Sequence, residues 1–346
     1  MSWCRRPPRP TTSKRLTAVI AVDANGADAG PAAVADGARL SGEHVLVFGP
    51  AAELGDGIEI VDAPQGVAGD QEPVRAVRST PDASIVQAAK AVAEGRAEAL
   101  VSAGSTGPTL AAATLSIKRL KGVHRPALAV LIPIPSKPVL LLDAGANVEV
   151  RPEHLVQFAY MGAAFMEAVA GVERPSVGLL SVGEEAGKGT PDVLEARERL
   201  EDGPLNFVGN MEGFDLPAGT ADVLVTDGFT GNVALKVLEG TSKTVGGAIS
   251  DAIRSGPVSS VGGLLIRGAV GRLRQKLDPE QVGGAILLGL RRPVVVAHGS
   301  FGPQGIASAV KLARRAVDEQ MVERTHAALE AAGALRSAPA GSFDPR

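Results

Sequence analysis

The sequence predicts a three-layer α/β/α fold around a largely parallel, mixed sheet, and three observations predict it. Short apolar runs of Val, Leu and Ile recur along the chain without the in–out alternation of a half-wetted strand. Ala-rich stretches of helical character separate them. Gly marks most of the junctions, with 42 Gly in 346 residues, which suits tight turns and close helix-on-sheet packing.

Taken in order, Leu16–Val22 (LTAVIAV) reads as a buried strand, followed by a Gly-rich turn at Asp23–Gly30, a helix over Pro31–Leu40 and a strand at His44–Phe48. A helix over Ser84–Glu94 leads to a strand at Ala99–Ser102, and Thr109–Arg119 is helical. Ala127–Ile134 and Val139–Leu142 are strands, the second ending at Asp143-Ala-Gly-Ala-Asn147. A long helix spans His154–Val169, and further strands follow at Val177–Val182, Leu205–Val208, Val223–Thr226 and Val294–Ala297. Asp215–Asp227 is short for a full crossover, so an antiparallel or hairpin element is expected there. Residues 16–335 read as one α/β unit, with two fused lobes as the alternative. The basic, Pro-rich residues 1–15 and the Gly/Pro/Ser-rich residues 336–346 read as flexible tails.

Composition excludes several function classes. The 35 Lys+Arg against 38 Asp+Glu give a formal charge of −3, unlike the basic excess of an electrostatic nucleic-acid binder. Aromatics at 3 % leave little for base stacking or a sugar-binding floor. Cys4 is the only cysteine, which excludes an intramolecular disulfide and a Cys-based metal site and fits a reducing cytoplasm. The first residues lack the apolar stretch of a secretory signal, and no window reaches the ~18–20 apolar residues of a spanning helix. The five His are scattered without HExxH, so no metal is expected.

In open α/β sheets, ligands sit where strand ends meet helix N-termini. Six such turns here are rich in small polar residues: Asp23–Asp28, Ser102–Gly107, Asp143–Asn147, Gly183–Thr190, Asp227–Asn232 and His298–Ser300. Turn geometry alone explains any one of them, but less easily all six. Gly183-Glu-Glu-Ala-Gly-Lys188-Gly-Thr190 is one residue short of a P-loop and carries an extra Gly before Thr190. No GxGxxG follows the first strand and no GxSxG occurs. No organic cofactor is expected; a small anion such as phosphate remains the natural guest of the turn N–H groups. His298 reads either as a base or as a structural hydrogen-bonder, and Asp23, Asp143 and Asp227 either as functional or as helix caps.

Several strings together resemble one family. They are Val22-Asp-Ala-Asn-Gly-Ala-Asp28, Val101-Ser-Ala-Gly-Ser-Thr-Gly107, Asp143-Ala-Gly-Ala-Asn-Val148 and Pro152-Glu-His-Leu-Val-Gln-Phe-Ala-Tyr-Met-Gly162. Gly209-Asn-Met-Glu-Gly213, Asp227-Gly-Phe-Thr-Gly-Asn-Val233 with Leu235-Lys236, Gly283-Gly-Ala-Ile-Leu-Leu-Gly289 and Ala297-His-Gly-Ser300 complete the set. In this order and spacing they resemble the acyl-ACP:phosphate acyltransferases of bacterial phospholipid synthesis (the PlsX family), over roughly Thr17 to Ala328. Departures from the family's usual strings are Asn25 for Met, Ala27 for Gly, Ser105 and Ser181 for Asn, and Phe301 for a second Ser. Ala27 bars a left-handed backbone at its position.

The resemblance implies the sheet of the phosphotransacetylase-like and isocitrate/isopropylmalate dehydrogenase-like fold. It also implies transfer of a fatty acyl group from acyl carrier protein to inorganic phosphate, a substrate and not a cofactor. Such chemistry needs no strong base, because phosphate, with a second pKa around 6–7, is largely dianionic and a thiol of pKa about 8.5 leaves readily. On this reading Asp23, Gly26, Asp28, Ser102, Gly104, Ser105, Thr106 and Gly107 hold phosphate. Asn147, Glu184, Asp227, Gly228, Thr230 and Ser300 complete the binding turns. Lys188 or Lys236 offsets the charge, and Asn232, Asn210 or His298 hydrogen-bonds the carbonyl oxygen.

A second feature is Ser259–Leu277, within a helical amphipathic segment at about 245–277. Val261, Leu265, Ala269, Leu273 and Leu277 recur every four residues, with Arg267 and Arg274 opposite. A core or dimer-interface helix competes here with a membrane-surface helix. The resemblance implies a cytoplasmic homodimer held peripherally at the membrane, with Leu264, Leu265, Ile266 and Val270 at the tip. The expected partners are acyl carrier protein and a membrane glycerol-3-phosphate acyltransferase. Competing readings are a phosphotransacylase using acyl-CoA, a non-catalytic acyl-ACP or acyl-phosphate binder, and a metal-dependent decarboxylating dehydrogenase, for which no clustered Asp ligands are found.

Overall fold

A computed structural model of the chain describes residues 18–67 and 72–336. Its strands are β1 (Ile20–Asp23), β2 (Val45–Gly49), β3 (Glu59–Asp62), β4 (Ala99–Ser102), β5 (Ala127–Ile132) and β6 (Val139–Leu142). They continue with β7 (Ser176–Leu180), β8 (Asn206–Met211), β9 (Val223–Val225), β10 (Ala285–Leu288) and β11 (Val294–Val296). All eleven form one sheet in the order β3-β2-β1-β4-β11-β10-β5-β6-β9-β7-β8.

Apart from the edge strands β3 and β8, the strands are buried on both faces, so their side chains divide between two cores. Ile20, Val22, Leu140 and Leu142 enter one core, while Ala21 and Leu141 enter the other. Helices Gly30–Ser41, Pro152–Phe165, Pro303–Asp318 and Met321–Ala331 cover the first face. Helices Ser84–Ala93 and Thr106–Ser116 cover the second. This is the three-layer architecture expected.

Strands β1, β2, β3, β4 and β11 are mutually parallel, and so are β6, β7, β8 and β9. The two sets run in opposite senses because β5–β6, β5–β10 and β10–β11 are antiparallel. The antiparallel element expected within Asp215–Asp227 is therefore not there: β8 and β9 both lie parallel to β7. The short helix Asp215–Ala218 suffices because the chain crosses only one strand.

Most elements match expectation within a few residues. Thr106–Ser116 starts and stops three residues early, and Lys118 with φ +70° bars its continuation. The long helix gives way to a π-helical turn at Met166–Ala170. Edge strand β3 and strand β10 were not expected. The segment at 245–277 is two helices, Gly228–Arg254 and Pro257–Lys276, broken at Gly256. The tails expected at 1–15 and beyond Arg336 lie outside the described residues.

Candidate active site

The six turns form two clusters, each knit by its own contacts. In the first, Asp23 ends β1 almost fully buried, with Ser102 of β4 in register beside it. Ser102 Oγ donates to Asp23 Oδ2 at 2.8 Å, Ser84 Oγ donates to Oδ1 at 2.5 Å, and the Asn25 N–H donates to Oδ1 at 3.3 Å. Burial raises the Asp23 pKa from 3.8 to about 6, against the downward pull of these hydrogen bonds. Ser102 Oγ also accepts from the Gly104 N–H and the Thr109 hydroxyl, each at 3.1 Å. Asp23 is thus the hub of a closed buried network.

Gly26 adopts φ +89°, and a Cβ there would stand 2.9 Å from Gly104 Cα, so two backbones meet where side chains have no room. Ala27 does not have a positive φ; Gly26 and Gly30 take that conformation instead. Asn25 Nδ2 donates to Ala63 O, Gln65 O and Ser84 Oγ, tying the segment after β3 onto the turn. The Asp28 N–H donates to Gly299 O at 2.9 Å and brings in the last turn. There His298 Nδ1 accepts from the Ser300 N–H at 3.3 Å and lies 2.8 Å from Ser300 Oγ. An accepting Nδ1 places the proton of neutral imidazole on Nε2, leaving an exposed donor.

Helices Gly30–Ser41, Ser84–Ala93, Thr106–Ser116 and Pro303–Asp318 all begin at this edge of the sheet. Their N-cap residues Ala29, Ala83, Ser105 and Gly302 supply no side-chain acceptor. The Ser84 N–H is taken by Gln65 O and the Gly30 N–H by Ala27 O, while Pro31 and Pro303 have none; the remaining first-turn N–H groups and the positive end of the peptide dipoles form an anion-attracting arrangement.

The second cluster centres on Asp143, fully buried at the end of β6. Its carboxylate accepts from the N–H groups of Leu128, Gly145, Ala146 and Asn147 and from Asn147 Nδ2. Burial raises its pKa despite those bonds. Helix Gly228–Arg254 docks on this turn: a Cβ at Gly231 would stand 1.9 Å from Asp143 O, and one at Gly228 2.7 Å from Asn147 O. Its first turn is sealed by Asp227, which accepts from the Thr230 N–H at 2.8 Å and the Thr230 hydroxyl at 2.7 Å. Thr190 likewise accepts from the Val193 N–H at the start of Pro191–Glu201. Asp227 is therefore a cap, whereas Asp23 and Asp143 are buried hubs.

Asn210 is buried, and its Nδ2 donates to Glu185 O and Lys188 O, both at 3.0 Å. Ser181 Oγ also donates to Lys188 O, so a hydroxyl holds the loop where the family's Asn is replaced. The Asn210 Nδ2 group is spent on backbone carbonyls, and that of Asn147 on Pro126 O and the Asp143 carboxylate. Lys236 pairs with Glu239 at 2.8 Å on its own helix. Lys188 and Glu184 are exposed, and Lys188 has no carboxylate partner among the described residues. Asn232 is exposed beside Gly145, and its amide makes no hydrogen bond among the described residues. A cavity of about 450 Å³ opens between Ser181, Thr190 and Thr226.

Ser84 and Thr109, which sequence reasoning missed, are buried hydroxyls inside helices; only their place beside Asp23 in space marks them. His124, Glu153 and His154 also approach one another within 4.8 Å. His154 Nδ1 accepts the Arg151 N–H at 3.1 Å and so caps its helix, with its proton on Nε2. Burial lowers both imidazole pKa values, against the upward pull of Glu153 and with smaller help from the neighbouring cationic groups.

Helices Gly228–Arg254 and Pro257–Lys276 form a hairpin, packed so closely that a Cβ at Gly263 would stand 2.2 Å from Ile253 Cγ2. No residue of the second helix is buried, and Leu264, Leu265, Ile266 and Val270 are all exposed, Leu265 to 82 %. Among the described residues no helix is long and apolar enough to cross a membrane.

Comparison with known proteins adds the following. The family described as "Fatty acid synthesis protein" matches residues 18–324. The phosphate acyltransferase of Anoxybacillus flavithermus is 43 % identical over 316 residues, covering 88 % of this chain and 96 % of that protein. That of Elusimicrobium minutum is 42 % identical over 318 residues, covering 88 % and 93 %. Among solved structures, a phosphotransacetylase from Streptococcus pyogenes superposes with TM-score 0.58 at 20 % identity, covering 87 % of this chain and 94 % of that one. A branched-chain phosphotransacylase from Enterococcus faecalis gives 0.54 at 17 %, covering 86 % and 99 %. At such identities these structures speak for the fold.

Proposed function

The chain belongs to the fatty acid synthesis protein family and is an acyltransferase, and from that premise we propose that it moves a fatty acyl group from acyl carrier protein onto inorganic phosphate. The observation that carries this reading is the set of four helix N-termini without side-chain caps near the Gly26–Gly104 contact, a place for a dianion. A phosphate oxygen attacks the thioester carbonyl, the C–S bond breaks, and the departing thiolate takes a proton from solvent. The products are acyl phosphate, which feeds phospholipid synthesis, and free carrier protein.

In this scheme the site aligns two reactants and stabilises an oxyanion. His298 Nε2–H and the Asn232 amide are the donors with free capacity, and Lys188 is the cation with no partner among the described residues. Adjacent strands rotate by about 20–25°. The five steps from β4 to β9 accumulate roughly 100–125°. Asn232 and Lys188 lie at the edge opposite the phosphate turns, and their pairing with phosphate is part of this proposal. Asn210 and Ser181 act through the Lys188 loop that they hold.

The test is consumption of acyl-ACP with and without phosphate, with acyl phosphate trapped by hydroxylamine. Phosphate-dependent turnover on acyl-ACP, with acyl-CoA much poorer, supports the reading. Preference for acyl-CoA replaces it with a phosphotransacylase, and carrier-protein binding without turnover makes the chain a binder. The exposed apolar hairpin supports a homodimer that touches the cytoplasmic membrane surface, beside a membrane acyltransferase that accepts the product. Liposome flotation tests this: Leu265→Glu lowers recovery, and equal recovery refutes the membrane role.

A further inference from the structure

The cavity beside β7 and β9 has a lining unlike the turns around Gly26 and Gly104, for nearly half of it is aliphatic. Leu155 and Leu180 contribute aliphatic surface, as do the half-buried Val150 and Val193. At its mouth Val182 is 83 % exposed and Val148 is 67 % exposed, an unusual display of branched aliphatic surface beside an opening.

Most polar groups around it are already engaged. The Ser181 hydroxyl is spent on Lys188 O, Thr190 on the Val193 N–H, and Asp227 on Thr230. Glu149 and Asp192 add carboxylates to the lining, and no Lys or Arg lines it. An anion entering would meet repulsion from these carboxylates, and the side-chain donors left to it are two neutral hydroxyls, Thr190 and Thr226. The volume of about 450 Å³ lies within the range of small-molecule pockets, about 300–1,000 Å³.

We infer that this cavity is a binding site for an uncharged aliphatic chain and that Val150, Val182 and Val193 set the chain length it accepts. The identification of that chain with the substrate's acyl group rests on the proposed reaction; the affinity for aliphatic chains does not. Its lining includes Asp227 and Thr230, so the chain site shares the first turn of helix Gly228–Arg254 with Asn232. Phosphate and chain then occupy chemically opposite surroundings, which keeps either from blocking the other's place.

The experiment is calorimetric titration of the full chain with 1-octanol, 1-decanol and decanoate at neutral pH. Each buried methylene adds about 4-fold in affinity, so decanol should bind at one site about 15-fold tighter than octanol. Decanoate should bind more weakly than decanol because of Glu149 and Asp192. Val193→Phe, which fills the cavity, should weaken decanol at least about 10-fold. Val150→Phe, on a different segment, repeats the test should Val193→Phe unfold, with circular dichroism melting as the check on folding. Equal affinity for the two alcohols, or both Phe variants binding decanol as wild type does, overturns the inference. Acyl-ACP turnover is measured in parallel: its absence condemns the proposed reaction, whereas the alcohols alone decide the cavity.

Discussion

The two turn clusters are written in the same idiom of strand, terminal Asp, glycine turn and helix, yet they end with opposite electrostatics. Around Gly26 and Gly104 the helices begin at Ala29, Ala83, Ser105 and Gly302, which leave their first N–H groups without side-chain acceptors. Around Asp143 the helices begin at Asp227 and Thr190, whose side chains close them. One edge is prepared for an anion; the other is already satisfied and negatively lined. A shared motif thus does not imply a shared role: what matters is whether the oxygen before the helix belongs to the protein or is left for a ligand to supply.

The largest expected effect tests the rigid half. Gly231→Ala forces a methyl group to within 1.9 Å of Asp143 O, a contact with backbone that no rotamer change relieves. The variant should lose at least about 4 kcal/mol in urea denaturation. Gly104→Ala meets Asn25 O at 3.1 Å without a positive φ, and should lose about 1 kcal/mol. Equal losses would mean that the two turns are equally tight.

Next in size is the buried hub of the anion edge. The pKa of Asp23 is raised from 3.8 to about 6, which corresponds to about 3 kcal/mol. A raised carboxyl contributes stability that is fully present below its unfolded pKa and is lost as pH rises through about 6. The stability of wild type minus that of Asp23→Asn should therefore fall by up to about 3 kcal/mol between roughly pH 3.5 and 7. A difference independent of pH would remove Asp23 as a desolvated acid.

Comparable in energy is the catalytic link between the halves. Asn232→Ala should lower turnover by ~10²-fold with little change in stability, because its exposed amide makes no bond among the described residues. Asn210→Ala should instead lower both, through the loop that its amide holds. Near-normal turnover for Asn232→Ala takes that residue out of the site.

What the sequence made legible follows from how local each signal is. The buried runs of β1, β4 and β6 and the strings at their ends carry their meaning within a few residues. Strand β3 is a partly exposed edge, and β10 follows Gly283 and Gly284 with φ of +88° and +96°, so neither reads as a buried run. Helix Gly228–Arg254 buries only Gly228 and Gly231 and packs Ala234, Leu235 and Leu238 on the core, so just its first three turns carry a periodic signal toward the sheet. The reversal of strand sense at β10 and at β5–β6 is a matter of pairing partners, invisible to periodicity. For the same reason Asn210 was expected to touch substrate: a buried amide and a catalytic amide look alike until their partners are known.

The smallest effects sharpen the comparison most directly, because they exchange the property that separates the clusters. Asp227→Ala removes a cap that serves Thr230 twice and should cost about 1 kcal/mol. Ser105→Ala removes a side chain that caps nothing and should stay within about 0.5 kcal/mol. Ser105→Asp then supplies the missing acceptor, and the helix Thr106–Ser116 should gain up to about 1 kcal/mol. The same carboxylate occupies the N–H groups a phosphate needs, so stabilisation by added phosphate, seen as a rise in Tm for wild type, should vanish in that variant. If Ser105→Asp is stabilised and still responds fully to phosphate, the anion sits elsewhere and the open helix ends are not its site.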